Sequence, residues 1–345
     1  MADYRLALLG FGNVGQALAR LLQRKRADLR REYDLTFSVT GIATGHHGMV
    51  IDPQGLDLDR CLSVMKSGGS LNQLSDQEAP QDAFDFIYRC GADVLFENTP
   101  VNYQTGLPAA DHLRVALQEG IHAITANKGP IVHAYRQLAE LAASKGRKFY
   151  FESTVMDGAP IFSLFREGLP AAHLRAFQGI LNSTTNLILT RMEAGETLDK
   201  AIIHAQSIGI AETDPSGDID GWDAAVKVAA LVTVLMGIPL TPAEVERQGI
   251  RHLTVEDMER AKAQGRRWKL VCSARREAER VQARVAPEMV PVSSPLYSVS
   301  GTSSIVQFET DVLGPLAIIE TDPGPSTTAY GLLADFLNVV RSQSR

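Results

Sequence analysis

The chain is short of the residues that cross-link, span membranes or grip polyanions. Its 345 residues include three cysteines, Cys61, Cys90 and Cys272, widely spaced and with no CxxC pair. A disulfide framework and a zinc knuckle are thereby excluded, and a reducing, cytoplasmic compartment is expected. No apolar run is long enough to cross a bilayer; the longest, from Val228 to Leu240, falls well short. A secretory leader is not expected either, because the first apolar run, Arg5-Leu-Ala-Leu-Leu-Gly10, follows Asp3 and stops at a glycine, as a strand does. Basic excess is missing too. A formal net charge of -6 argues against nucleic-acid binding, and the basic cluster from Arg24 to Arg31 reads as a solvated helix face. What remains, 45% hydrophobic and 21% charged, is ordinary globular composition, with enough length for two domains and a large core.

The first part of the chain alternates short apolar strands with helices. Residues 5–9, 37–43, 94–97 and 123–126 read as strands, 15–29 and 109–119 as helices, and 135–144 as the start of another. Such alternation builds a Rossmann-type, doubly wound parallel sheet of the α/β class. Stretches 52–62 and 74–81 find no place in that pattern. Further on, 149–155 and 176–181 read as strands and 186–194, 198–208 and 222–236 as helices. Thr254, followed by Val-Glu-Asp, reads as a helix cap. Stretches 268–273, 281–285 and 304–308 then suggest an antiparallel sheet, and 328–340 a final helix. The expected division is a dinucleotide-binding domain at 1–135, an α+β substrate and oligomerisation domain at 136–310, and a segment at 311–345 that returns to the first.

Gly10-Phe-Gly12-Asn13-Val14-Gly15 lies between the first strand and the first helix. That is the setting of a dinucleotide fingerprint: Gly10 for the tight turn, Gly12 for close approach to the pyrophosphate, Gly15 for helix-on-strand packing. The phosphates would rest on unpaired N–H groups at the helix N-terminus, those of Asn13 and Val14 included. NAD-binding chains usually place an acid at the end of the second strand. Here stands Ala43-Thr44-Gly-His46-His47-Gly, with no carboxylate to repel a 2′-phosphate. The cofactor is therefore NADP or NAD, with NADP favoured, and His46, His47 or Thr44 either touch that phosphate or merely turn the chain.

Asp223 and Lys227 stand four apart on a predicted helix and share one face. Alone, such a pair is commonly a surface ion pair. Its flanks, Ala224, Ala225, Val226, Val228, Ala229 and Ala230, leave little polar surface around it. Desolvation and the nearby anion then pull the lysine in opposite directions, so Lys227 reads as a tunable proton donor and acceptor.

Downstream of the fingerprint come Glu97-Asn-Thr99-Pro100, Thr125-Ala-Asn127-Lys128, Glu152-Ser-Thr-Val155-Met-Asp157-Gly-Ala159-Pro, Gly179-Ile-Leu-Asn182-Ser-Thr184-Thr-Asn186 and Gly209-Ile-Ala-Glu212-Thr-Asp214-Pro-Ser-Gly-Asp218-Ile-Asp-Gly-Trp-Asp223-Ala-Ala-Val-Lys227. In this order and spacing the set resembles the homoserine dehydrogenase family over nearly the whole chain, in its short form without a regulatory domain. The resemblance implies reversible NAD(P)-dependent reduction of L-aspartate 4-semialdehyde to L-homoserine, within threonine and methionine biosynthesis. It implies that Lys227 donates to the reacting oxygen, that Asp223 orients it and meets the substrate, and that Lys128 stands beside the nicotinamide. Glu212 and Asp218 would meet the substrate's amino group and polar end. Thr99, Pro100 and Gly324 would line the cofactor cleft. Glu152, Val155, Asp157 and Ala159 would hold a structural Na+ or K+, mainly through carbonyls. A homodimer, formed through the antiparallel sheet, is implied as well.

The chain departs from the family pattern in places. Ser183 stands where glycine is usual and Leu187 where an aromatic residue is common. Gly301-Thr-Ser303-Ser304 replaces a segment that usually carries asparagine. Glu320-Thr-Asp322-Pro323-Gly324-Pro325 replaces a glycine-rich stretch. These changes leave open a related oxidoreductase acting on a different small hydroxy acid, amino acid or aldehyde. A nucleotide sensor without catalysis would not need Asp223 and Lys227.

Overall fold

The structure, a computed structural model, describes residues 1–278 and 280–343. It divides into two compact units, Met1–Pro160 together with the segment from Gly324 onward, and Ile161–Pro323. The boundaries fall later than the 135 and 310 read from the sequence, because a short sixth strand still belongs to the first sheet and a last hairpin to the second.

The first unit contains strands β1 (Ala2–Leu9), β2 (Leu35–Ala43), β3 (Met49–Ile51), β4 (Val94–Glu97), β5 (His122–Thr125) and β6 (Phe149–Tyr150), in the order β3-β2-β1-β4-β5-β6. All pairings are parallel except β2 with β3. Parallel strands covered on both faces read as unbroken apolar runs, as Leu6 to Leu9 do, all buried. The helices are α1 (Asn13–Tyr33), α2 (Leu58–Lys66), α3 (Ala83–Arg89), α4 (Ala109–Gln118) and α5 (Lys128–Ser144). β2 and β4 flank β1 on opposite sides, so the order in which strands are added reverses at β1. That is where doubly wound sheets bind ligands.

Part of the unplaced 52–62 stretch is α2, which Asp57 caps by accepting from the Asp59 and Arg60 N–H groups. A 3-10 turn, Leu71–Leu74, follows, and Leu58, Cys61 and Leu71 join the core. α5 starts at Lys128, earlier than 135. Asn127 caps it by accepting from Gly129 N–H at 3.0 Å, and Pro130, tolerated in a first turn, hides the start in the sequence. The strand expected at 149–155 stops at Tyr150. Beyond it, Glu152 N–H donates to Asp335 Oδ2 at 2.7 Å and Ser153 Oγ to Thr328 O at 2.8 Å. These bonds to the C-terminal helix, Pro325–Gln343, replace a strand ladder with a 3-10 turn, Glu152–Thr154. That helix packs Phe336 edge-on against Tyr4 and Phe96, at 5.5 and 6.2 Å between ring centres.

The second unit is α+β. Its strands β7 (Leu174–Ile180), β8 (Glu246–Arg247), β9 (Arg266–Glu277), β10 (Arg280–Pro291), β11 (Ser304–Thr310) and β12 (Leu316–Glu320) run in the order β12-β11-β7-β9-β10-β8. All pair antiparallel except β8 with β10. The helices are α6 (Ser183–Glu193), α7 (Leu198–Ser207), α8 (Ser216–Ile219), α9 (Trp222–Leu231) and α10 (Val255–Ala263). The helix expected at 222–236 is α9 continued by a π turn, Val232–Met236, and stopped by Gly237 at φ 67°. Thr254 and Asp257 form a reciprocal capping box on α10. No helix among the described residues is long and apolar enough to cross a membrane.

Candidate active site

At the carboxyl edge of the first sheet, β1 runs into the glycine turn. Gly10 has φ +98°, and a Cβ there would lie 2.4 Å from Asn98 O; one on Gly15 would lie 2.4 Å from Gly10 O. Gly12 faces open space instead, and no side chain caps α1. The N–H groups at that end, those of Asn13 and Val14 among them, are thus presented in the way a pyrophosphate needs. Asn98, directly after β4, has both carboxamide atoms buried without a hydrogen-bond partner. An orphaned amide beside an uncapped glycine turn fits a bound dinucleotide.

The next two loops are tied to each other. Glu97 is buried and accepts from Thr99 N–H at 2.9 Å, Thr125 Oγ1 at 2.8 Å and Thr99 Oγ1. Burial pushes its carboxyl up, against the pull of those donors. Asn127 Nδ2 donates to Thr99 O at 3.1 Å and to Pro100 O at 3.4 Å. Thr99, Pro100 and Lys128, the first residue of α5, therefore lie along one edge. At the end of β2, Thr44 Oγ1 donates to Gly48 O and accepts from His47 N–H, while His47 Nδ1 contacts Gly69 O at 3.0 Å. Thr44 and His47 hold the turn, and His46 is exposed.

In the second unit β7 delivers Leu181 and Asn182, and Asn182 caps α6 by accepting from Thr185 N–H at 2.8 Å. The short α8 brings Asp218. Gly221, at φ +81°, lets the chain turn sharply into α9, which places Asp223 in its first turn and Lys227 one turn on. Lys227 Nζ lies 3.1 Å from Asp223 Oδ2 and donates to Leu181 O at 2.6 Å. Asn182 Nδ2 donates to Asp218 Oδ1 at 2.6 Å and to Asp223 Oδ2 at 2.9 Å. Burial, then the Asp223 charge, raises the Asp218 carboxyl above its ordinary value. The Lys227 side chain is 13% exposed. It is turned inward, not into bulk solvent. Two carboxylates and one ammonium form a local excess of negative charge suited to a cationic molecule.

The structure thus brings together Asp218, Asp223 and Lys227 and leaves Glu212 outside their hydrogen bonds. Glu212 is exposed, and its carbonyl accepts from Gln206 Nε2 at 3.2 Å. Gly324 opens the C-terminal helix, accepting from Thr327 Oγ1 at 2.7 Å. Asp157 has φ 37° and accepts from the same hydroxyl at 3.0 Å. Val155 and Ala159 are buried in that loop and Glu152 opens it. Among the described residues no three His, Cys, Asp or Glu side chains form a metal-binding group, so a cation in the loop would rest on carbonyls. Asn182, Glu97, Asn98 and Asn127 stand inside the motifs quoted above but carry no local signal of these contacts. Nor does Lys269, which is fully buried in β9, donates to Asn186 Oδ1 and Val299 O, and is pushed down to about 8 by burial.

Comparison with known proteins agrees with this geometry. The family model described as homoserine dehydrogenase matches residues 160–337, and that of the homoserine dehydrogenase NAD binding domain matches residues 10–152. The NAD(+)-dependent homoserine dehydrogenase of Pseudomonas canavaninivorans is 35% identical, covering 100% of this chain and 98% of that protein. A hyperthermophilic archaeal homoserine dehydrogenase solved in complex with NADPH superimposes with a TM-score of 0.85 at 31% identity, over 99% of this chain and 98% of that one. The homoserine dehydrogenase of Thiobacillus denitrificans gives 0.84 at 29% identity, over 100% of this chain and 74% of that one. With the glycine turn in one unit and the Asp223–Lys227 pair in the other, the chain belongs to the homoserine dehydrogenase family, NAD(P)-dependent oxidoreductases acting on a CH–OH group.

Proposed function

We propose that this chain interconverts L-homoserine and L-aspartate 4-semialdehyde, with NAD(P)+ taken up and NAD(P)H and a proton released in the oxidative direction. The observation that carries the reading is the inward Lys227 ammonium between Asp223 and the Leu181 carbonyl. The hydrogen bond to Leu181 O and the ion pair with Asp223 hold the ammonium in place, and an N–H of it is directed in this reading to the substrate's terminal oxygen. A bound nicotinamide dinucleotide supplies the hydride for reduction. As negative charge grows on the aldehyde oxygen, Lys227 stabilises it and then hands over the proton. Asp223 keeps the lysine aimed and touches the substrate, Asp218 and Glu212 meet the substrate ammonium, and Lys128 serves the nicotinamide end.

Gly10, Gly12, Asn13, Val14, Gly15, Thr99, Pro100 and Gly324 form the dinucleotide site in this reading. NADP is the preferred coenzyme, since no carboxylate stands between Ala43 and Gly48 to repel a 2′-phosphate. The carbonyls of Glu152, Val155, Asp157 and Ala159 take a monovalent cation. The active form is a homodimer joined through the second sheet, in the cytoplasm, where its buried thiols stay free.

A panel of hydroxy acids, amino acids and aldehydes with both coenzymes tests this. L-Homoserine should be the best substrate, and NADP+ should give the higher kcat/KM. Lys227→Ala should lower kcat by about 10²–10⁴ while coenzyme Kd stays constant. Absence of homoserine-dependent NAD(P)H formation by folded protein sinks the reading. A clear preference for another compound would favour a related dehydrogenase, for which Ser183 is the motivating observation: its Oγ meets Ser304 Oγ at 3.3 Å, next to the Asn182 that caps α6.

A further inference from the structure

A cleft of about 350 Å³ opens in the second unit where the last turn of α6, one face of α10 and the start of β9 meet. None of its lining residues belongs to the Asn182–Asp218–Asp223–Lys227 cluster. α6 keeps the two places apart, with Asn182 capping its first turn and Glu193 closing its last. Eleven residues at about 1.5 Å each put roughly 16 Å between them.

The wall of the cleft carries Lys262, Arg266 and Arg267 against Glu193 and Glu259. Arg267 is held in place: its guanidinium lies 4.6 Å over the Tyr297 ring, and Nη1 donates to Tyr297 O at 3.2 Å. Its Nε stands 3.7 Å from Glu193 Oε2, beyond hydrogen-bond length. Glu193 Oε1 is buried and receives no hydrogen bond. Burial raises this carboxyl, against the pull of Lys269, Arg267 and Lys262. An acceptor placed so calls for a donor from outside the chain. Met192 and Met258, both buried, and Val255 supply an apolar floor.

We infer that this cleft binds a free L-α-amino acid with an aliphatic side chain. The carboxylate meets the Arg267 and Lys262 side, the ammonium meets the accessible part of the Glu193 carboxylate, and the side chain lies on Met258 and Val255. Other small ligands match less. A simple carboxylate would leave Glu193 Oε1 without a donor and bring an anion up against it. A simple amine would add positive charge to a wall that already holds three cations against two carboxylates.

Calorimetry on the full chain tests the inference with L-leucine, L-valine, L-isoleucine and L-methionine, and with two leucine analogues that each lack one charge, isocaproate and isopentylamine. At least one amino acid should bind once per chain, and either analogue should bind at least roughly tenfold more weakly than leucine. Glu193→Gln and Lys262→Ala should each weaken the binding by a similar factor, with turnover in the absence of ligand unchanged. Absence of binding by all four amino acids at millimolar concentration overturns the inference. So does isocaproate binding as tightly as leucine, which would make the cleft a plain anion site. Unaltered binding in both variants also overturns it, since the ligand would then sit elsewhere.

Discussion

Both hydrogens of the Asn182 amide are directed at carboxylates from two different helices, while its oxygen caps a third. Asn182→Asp separates those duties. Aspartate caps a helix as well as asparagine does, so α6 should keep its stability. The donor, however, becomes a third anion beside Asp218 and Asp223. Circular dichroism and melting temperature should change little while kcat/KM for homoserine collapses; near-normal turnover would show that the bridge is not needed. Asp218 gives a second residue-level expectation. Its carboxyl is raised in the folded chain, so its contribution to stability is present below its unfolded value and is lost as pH climbs through the folded one. Asp218→Asn removes that titration. The variant should melt a few degrees above the parent at neutral pH, by about 1 kcal/mol, with the gap closing as pH falls into the carboxylate range. Its KM for homoserine should rise. A gap that widened on acidification would contradict the raised carboxyl.

The glycines at the start of α1 are three of a kind in sequence and unlike in space. A methyl on Gly10 or Gly15 runs into backbone oxygen, whereas one on Gly12 meets nothing. Gly12→Ala should therefore melt like the parent yet bind NAD(P) at least roughly tenfold more weakly. Gly15→Ala should instead lower the melting temperature outright. If both variants lost only coenzyme, or only stability, the division of labour would be wrong. Elements of this kind were legible before any coordinates, because an apolar run, a glycine turn and a helix follow each other within one short stretch. α9 was legible for a similar reason: the spacing of Asp223 and Lys227 is a local fact. The end of β6 and the start of α5 were not. The bonds that end β6 reach from Glu152 and Ser153 to Asp335 and Thr328, and no periodicity near residue 150 announces them. The Leu181 carbonyl and the Asn182 amide were hidden in the same way, since their partners lie on helices that follow much later in the chain.

For the molecule as a whole, assembly is the open quantity that light scattering can read. The homodimer reading requires a solution mass of twice the 37.5 kDa chain. The face concerned is the solvent side of the second sheet, where Gln178, Ser273 and Gln307 stand beside paired charges such as Arg275–Glu309 and Arg284–Glu246, while Phe177, Ala274 and Phe308 point to the buried side. A strictly monomeric chain with full activity would remove the dimer from the proposal.

The helix that seats Phe336 against Tyr4 and Phe96 lies downstream of the entire second unit. A ribosome reading this message must therefore finish residues 161–323 before the nucleotide-binding core can be sealed. The nascent amino-terminal sheet waits with the Phe96 side uncovered throughout that interval. The part of the protein made first is thus among the last to mature, and translation that stalls after the second unit would leave a chain that chaperones must shelter.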